Sequence, residues 1–189
     1  LLFSIQSVSD ETPLGRTVLY LIEHGLAEIS MHTNLDLAPG GVNDCLAQAV
    51  GLNVLEPLGA DGCGRVGALP EEMAMDAFLP HVARALHCSG MRYVSAGKPV
   101  RRVAVGGGAC WDYHADALRK KCDTFLTSDL GYHDFLDARA MGMNVIDAGH
   151  FPTEDVVCPK LVSMLQSPYP QLNINKSTSH REVFQYFLS

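Results

Sequence analysis

The second half of the chain constrains the fold most, because short apolar runs there alternate with longer helical patterns. Strand candidates at 103–105, 124–126 and 144–146 alternate with helix candidates at about 114–121, 133–141 and 154–165. Parallel strands need a crossover long enough to hold a helix, and this spacing provides one each time. The rhythm predicts an α/β fold with a partly parallel sheet. The first half is less regular. Thr12-Pro13 reads as a capping hydroxyl followed by a first-turn proline, and Leu14, Val18, Leu21 and Ile22 follow at helical spacing up to Gly25. A strand is expected at 27–31, a short helix ending at Val50-Gly51, a strand at 54–58, a loop at 59–67 and a helix at about 76–86.

The 189 residues suffice for one compact domain, and 47% of them are apolar, as a packed core requires. The formal charge of −7, with Lys and Arg scattered, argues against nucleic acid or an anionic membrane as partner. No apolar run approaches the roughly 20 residues of a membrane-spanning helix. The start, LLFSIQSVSD, lacks both a signal-peptide pattern and a methionine, so a trimmed or incomplete chain is expected. Six cysteines occur without a C-x-x-C pair, and reduced thiols in a cytoplasmic protein are the expectation.

Two segments place an imidazole four positions before a carboxylate, just past a strand candidate: His32-Thr-Asn-Leu-Asp36 and His150-Phe-Pro-Thr-Glu154. Ligands in open α/β sheets bind beyond the carboxyl ends of strands, where such loops lie. Mixed His and carboxylate donors suit zinc, iron, manganese or cobalt, whereas calcium prefers oxygen alone. Spacing leaves a second reading open, in which each pair merely caps a helix or decorates the surface. In Thr127-Ser128-Asp129-Leu-Gly-Tyr-His133-Asp134, Asp129 or Ser128 is expected to cap the next helix, with His133 a candidate proton shuttle. Gly106-Gly107-Gly108 is expected to join a strand to a helix, where an anion could approach the backbone. The dinucleotide fingerprint is incomplete, since Trp111 stands at its last glycine, and no nucleophile elbow, phosphate loop or H-E-x-x-H helix occurs.

Taken in order, HTNLD, APGGVND, GCGRVGALP, RRVAVGGGAC, TSDLGYHD and IDAGHFPTE resemble the dinuclear-metal-centre family of type 2 GTP cyclohydrolase I homologues, the Nif3-like proteins. The match runs from about Thr12 to Glu154. The resemblance implies one Nif3-like α/β domain over 1–189, built as two similar lobes with mixed sheets and a metal site in the cleft between them. It also implies a toroidal homo-hexamer. Carried onto this chain, the metal ligands would be Asp36, His150 and Glu154, with Glu154 bridging two divalent transition-metal ions. His32 would lie nearby as a proton-transfer or substrate group. The family's adjacent histidine pair is not in this chain; Leu1-Leu2-Phe3 looks like the residues that follow it, which implies a first lobe lacking its N-terminal part and up to two ligands. Gly131 stands where the family often carries lysine.

Two functions follow from the resemblance. One is a metal-dependent hydrolase acting on a small molecule such as a purine nucleotide, with Asp36, His150 and Glu154 holding metal and His32 or His133 moving protons. The other is a non-catalytic metal-binding scaffold or regulator that works through its ring assembly.

Overall fold

In the computed structural model, residues 5 and 7–187 are described, and the chain divides into two compact units, residues 1–35 and 36–189. The first unit is built around helix α1 (Pro13–Glu23). Thr12 caps it as expected, its hydroxyl accepting from the Gly15 N–H at 3.0 Å, and Gly25 follows with φ of 61°. The strand expected at 27–31 does not form. A strand needs a neighbour for its backbone donors and acceptors, and no strand is present among the described residues of this unit. Ile29 accordingly stands 88% exposed.

Between the units' sequences runs helix α2 (Thr33–Leu37). The second unit continues with α3 (Val42–Ala49), β1 (Asn53–Pro57), β2 (Arg65–Met73), α4 (Met75–Leu86), β3 (Arg92–Val94) and β4 (Val100–Ala109). A 3-10 turn at Trp111–Tyr113 leads into α5 (His114–Arg119), β5 (Thr124–Ser128), α6 (Tyr132–Met141), β6 (Asn144–Asp147), α7 (His150–Asp155) and α8 (Cys158–Gln166). The strands form one mixed six-stranded sheet in the order β1-β2-β4-β5-β6-β3. Only β4, β5 and β6 run parallel to their neighbours in this trio; β1–β2, β2–β4 and β3–β6 pair antiparallel.

Alternation along the central strands sends side chains to two separate cores. Val103, Val105, Leu126 and Ile146 join Leu46, Phe78 and Val82 from α3 and α4 on one face. Ala104, Phe125 and Val145 join Ala117 and Ala138 from α5 and α6 on the other. All twelve of these side chains are fully buried.

Two elements depart from the sequence reading. β2 begins at Arg65, inside the expected loop, and its register breaks between Ala68 and Met73, where Pro70 lacks the N–H a ladder needs. The helix expected at 154–165 is two helices, since Pro159 cannot donate to the preceding turn and collides with its carbonyls. The first of the two, α7, starts at His150, with Ala148 and Gly149 between it and the end of β6.

Candidate functional site

The carboxyl ends of β4, β5 and β6 meet α7, and this junction gathers the polar side chains. β6 ends on Asp147, which is nearly buried and fully engaged. Its Oδ1 accepts from the Gly149 N–H at 3.1 Å, and its Oδ2 accepts from the Leu130 N–H at 3.2 Å and from Arg92 at 2.5 Å. Gly149, at φ of 88°, then turns the chain into α7 and sets the direction of His150.

His150 sits between two carboxylates. Its Nδ1 lies 2.5 Å from Asp129 Oδ2, and its Nε2 lies 3.2 Å from Glu154 Oε1, one helical turn on. Burial by itself pulls the imidazole pKa down, but the Asp129 hydrogen bond and the charges of Glu154 and Asp129 outweigh it, and the net shift is upward. Asp129 holds the left-handed conformation, φ 58°, which carries its carboxylate back across the β5–β6 edge. It does not cap α6, as the sequence reading expected, and neither does Ser128. Gly131 occupies the cap position, with its N–H donating to Asp134 Oδ2 at 2.7 Å. Ser128 Oγ is buried at the same strand end and has no hydrogen-bond partner among the described residues.

The glycine run does not join a strand to an anion-binding helix. It is the last stretch of β4 itself, with an irregular register after Val105. Its lack of side chains makes room for α7 and α3. A Cβ on Gly108 would lie 2.6 Å from Glu154 Oε1 and 3.2 Å from His150 Nε2, and one on Gly107 would lie 2.6 Å from Val42 Cγ1. The backbone is pinned as well: the Gly108 N–H donates to Thr153 Oγ1 at 3.0 Å and the Gly107 N–H to Asn43 Oδ1 at 2.9 Å. The amide of Asn43 in turn donates to the Asp36 carbonyl at 3.0 Å, so the end of α2 is tied to the same glycines.

Of the residues expected from sequence, His150 and Glu154 are brought together, and Asp36 is linked to them through Asn43 and Gly107. The Asp36 carboxylate also acts on the thiols of Cys63 and Cys110. His32 belongs to the first unit, where its N–H donates to Asn34 Oδ1 at 2.7 Å and its Nδ1 lies 3.2 Å from Thr33 Oγ1. His133 is exposed on the first turn of α6, its ring edge-on to Tyr132. Sequence reasoning passed over Arg92 and the segment after α8. Arg92, Asp129, Asp147, Gly149, His150 and the 184–186 stretch line a cavity of about 260 Å³. Nothing in their spacing signals this, because β3 and the tail reach the site only through the tertiary fold.

Chemically, His150 Nε2 and Glu154 Oε1 form a nitrogen–oxygen donor pair of the kind borderline transition metals take. The Asp129 carboxylate on Nδ1 fixes the ring and its tautomer, as carboxylates behind metal-binding histidines do. Among the described residues no three His, Cys, Asp or Glu side chains converge into a ready cage. The residues thus fit part of a metal site.

The family model for DUF34/NIF3, described as NGG1p interacting factor 3, matches residues 1–182. The chain belongs to the NIF3 family. It is 32% identical over 155 residues to a Clostridium perfringens protein named GTP cyclohydrolase 1 type 2 homolog, covering 78% of this chain and 59% of that protein. A Streptomyces coelicolor protein of the same name is 36% identical over 160 residues, covering 78% and 56%. The NIF3 chain therefore spans somewhat over half the length of these relatives. Among solved structures, a Staphylococcus aureus hypothetical protein superposes with a TM-score of 0.88 at 25% identity, covering 98% of this chain and 77% of that one. A Bacillus cereus protein related to NIF3 gives 0.87 at 23% identity, covering 97% and 80%, which bears on the fold alone. No helix among the described residues is long and apolar enough to cross a membrane.

Proposed function

We propose that this chain contributes His150, Glu154 and Asp36 to a centre for two divalent transition-metal ions, and that the whole protein is a metal-dependent hydrolase of a nucleotide-like substrate. The observation that carries the reading is the convergence of His150 Nε2 and Glu154 Oε1 above Gly108, with Asp129 holding the far side of the ring. The relatives' shared name, GTP cyclohydrolase 1 type 2 homolog, favours a purine nucleotide. When bound, such ions lower the pKa of a coordinated water toward neutrality and stabilise charge at the attacked centre. The remaining roles fall to the chain. Asp129 keeps Nε2 directed at the site, and Arg92 offers a cation at the cavity wall for an anionic substrate group. His32 and His133 are the candidate proton carriers. Two similar lobes, a cleft between them and a hexameric ring belong to the same proposal.

A second reading is a metal-binding scaffold without turnover, and it draws support from the donors that converge among the described residues, the His150–Glu154 pair. Metal analysis and product analysis with GTP separate the two, run on the wild type, His150→Ala and Glu154→Gln beside the longer Clostridium perfringens relative. The hydrolase reading expects bound metal and product in the wild type and loss of both in each variant. Bound metal without product supports the scaffold. Turnover that persists in Glu154→Gln after its metal is gone overturns the hydrolase, and full metal retention in both variants overturns the site.

A further inference from the structure

The junction that holds the candidate centre borders a pair of thiols that the proposed hydrolysis does not use. Cys63 lies in the turn between β1 and β2, and Cys110 follows the last residue of β4, 47 positions later. Their sulfurs stand 3.9 Å apart, in van der Waals contact and in hydrogen-bonding range. Forming a disulfide requires a closure of about 2 Å, to an S–S length near 2.05 Å. The two backbones are already fixed close together. The Gly59 N–H donates to the Cys63 carbonyl at 2.8 Å, the Cys63 N–H donates to Asp61 Oδ1 at 3.0 Å, and the Cys110 N–H donates to Thr127 Oγ1 at 3.1 Å.

The two thiols are unequal. Cys110 is buried, 3% exposed, whereas Cys63 is partly open to solvent. Glycines surround the pair. A Cβ on Gly106 would lie 2.4 Å from Cys110 Sγ, so that position reserves the sulfur's space, and Gly62 and Gly64 flank Cys63 at φ of 91° and 67°. The Tyr113 ring packs on Gly59, and its hydroxyl donates to Asp61 Oδ2 at 2.6 Å, which closes the turn over the thiols. The contact between the two sulfurs favours the Cys63 thiolate and, together with burial, drives the Cys110 thiol the other way. An accessible attacking sulfur with a buried resolving thiol in contact is the arrangement of a peroxide-oxidised dithiol.

We propose that Cys63 and Cys110 form a reversible redox pair that a hydroperoxide converts to an intramolecular disulfide. The Cys63 thiolate attacks the terminal peroxide oxygen; the O–O bond breaks, and the departing alkoxide takes a proton from solvent and leaves as an alcohol. Cys63 is then a sulfenic acid. The Cys110 sulfur attacks it, the S–S bond forms, and the hydroxyl leaves as water with the Cys110 proton. The sum is two thiols and one hydroperoxide giving one disulfide, one alcohol and one water. A dithiol reductant reverses it by two exchange steps and is itself oxidised to a disulfide. The bond clamps the β1–β2 turn to the end of β4. Thr127 Oγ1, which accepts from the Cys110 N–H, donates to the Gly108 carbonyl at 3.0 Å, so the clamp is felt at the glycine beneath His150 and Glu154.

The test is thiol counting and peptide mapping on the full chain, reduced, freed of metal in a chelating buffer, and treated with a small excess of tert-butyl hydroperoxide. The expected result is a fall from six alkylatable cysteines to four, a Cys63–Cys110 cross-linked peptide from monomeric protein, and return to six with dithiothreitol. In Cys110→Ser, Cys63 should stop at a sulfenic acid that dimedone traps; in Cys63→Ser, Cys110 should stay reduced. The proposal is overturned if wild-type Cys63 gains two oxygens while Cys110 remains alkylatable. It is equally overturned if both stay reduced under peroxide that oxidises other cysteines, or if the cross-link joins two molecules. The wild-type result decides these outcomes even if a variant fails to fold, and because metal is absent, it does not depend on the hydrolase reading.

Discussion

At the residue scale the site turns on His150 and what holds each of its nitrogens. Spacing in the sequence pointed to His150 and Glu154 as an imidazole four positions before a carboxylate beyond a strand; α7 starts at His150, so the two share a helix face and their polar atoms lie 3.2 Å apart. Spacing could not find Asp129, 21 residues upstream, because its reach across the strand edge depends on a left-handed backbone angle. The ion pair gives a direct prediction. Because the two carboxylates raise the imidazole pKa, Asp129→Asn removes one of them and lowers it. NMR titration of the ring in metal-free protein should show His150 losing its proton at lower pH in the variant. An unchanged titration would mean that Asp129 does not hold the ring.

At the element scale the end of β4 decides how close α7 can come. Gly108 has φ of 64° and leaves no space for a methyl group, with Glu154 Oε1 2.6 Å from where a Cβ would sit. Gly108→Ala should therefore cost stability on the order of 1–2 kcal/mol from backbone strain alone, and should also push Glu154 and His150 out of register, lowering metal uptake. Gly97→Ala is the control, since it has φ of 73° with nothing within 4 Å. Denaturant melts should show a loss in both variants, and metal titration should show it only in Gly108→Ala. The elements also show where a linear reading fails. Capping at Thr12 and the alternation of strands with helices in the second half are local and were readable. The strand expected at 27–31 failed for want of a pairing neighbour, and β2 hid behind a glycine-rich turn and an internal proline. Pro159, which splits α7 from α8, was visible in the sequence, and the helical periodicity on either side masked it.

At the scale of the whole molecule, the second unit rests on one sheet with a core on each face. Phe125 is the largest fully buried side chain of the core that packs α5 and α6, and it contacts the Trp111 ring at 6.0 Å between centroids. Phe125→Ala should destabilise the unit by about 3–5 kcal/mol, seen as a lower midpoint in chemical denaturation with the slope unchanged. A loss under 1 kcal/mol would show that this core is not continuous across α5 and β5. The sequence by itself determined the β-α-β rhythm and the family and singled out the His150–Glu154 spacing, because each is written in residues that are near neighbours along the chain or in motifs kept in order. Only the tertiary structure decided that Asp129 holds the ring, that Gly107 and Gly108 serve as clearance, and that Cys63 meets Cys110. Those contacts join residues 21 to 65 positions apart, and nothing in local propensity or spacing encodes which strand ends a sheet will bring side by side.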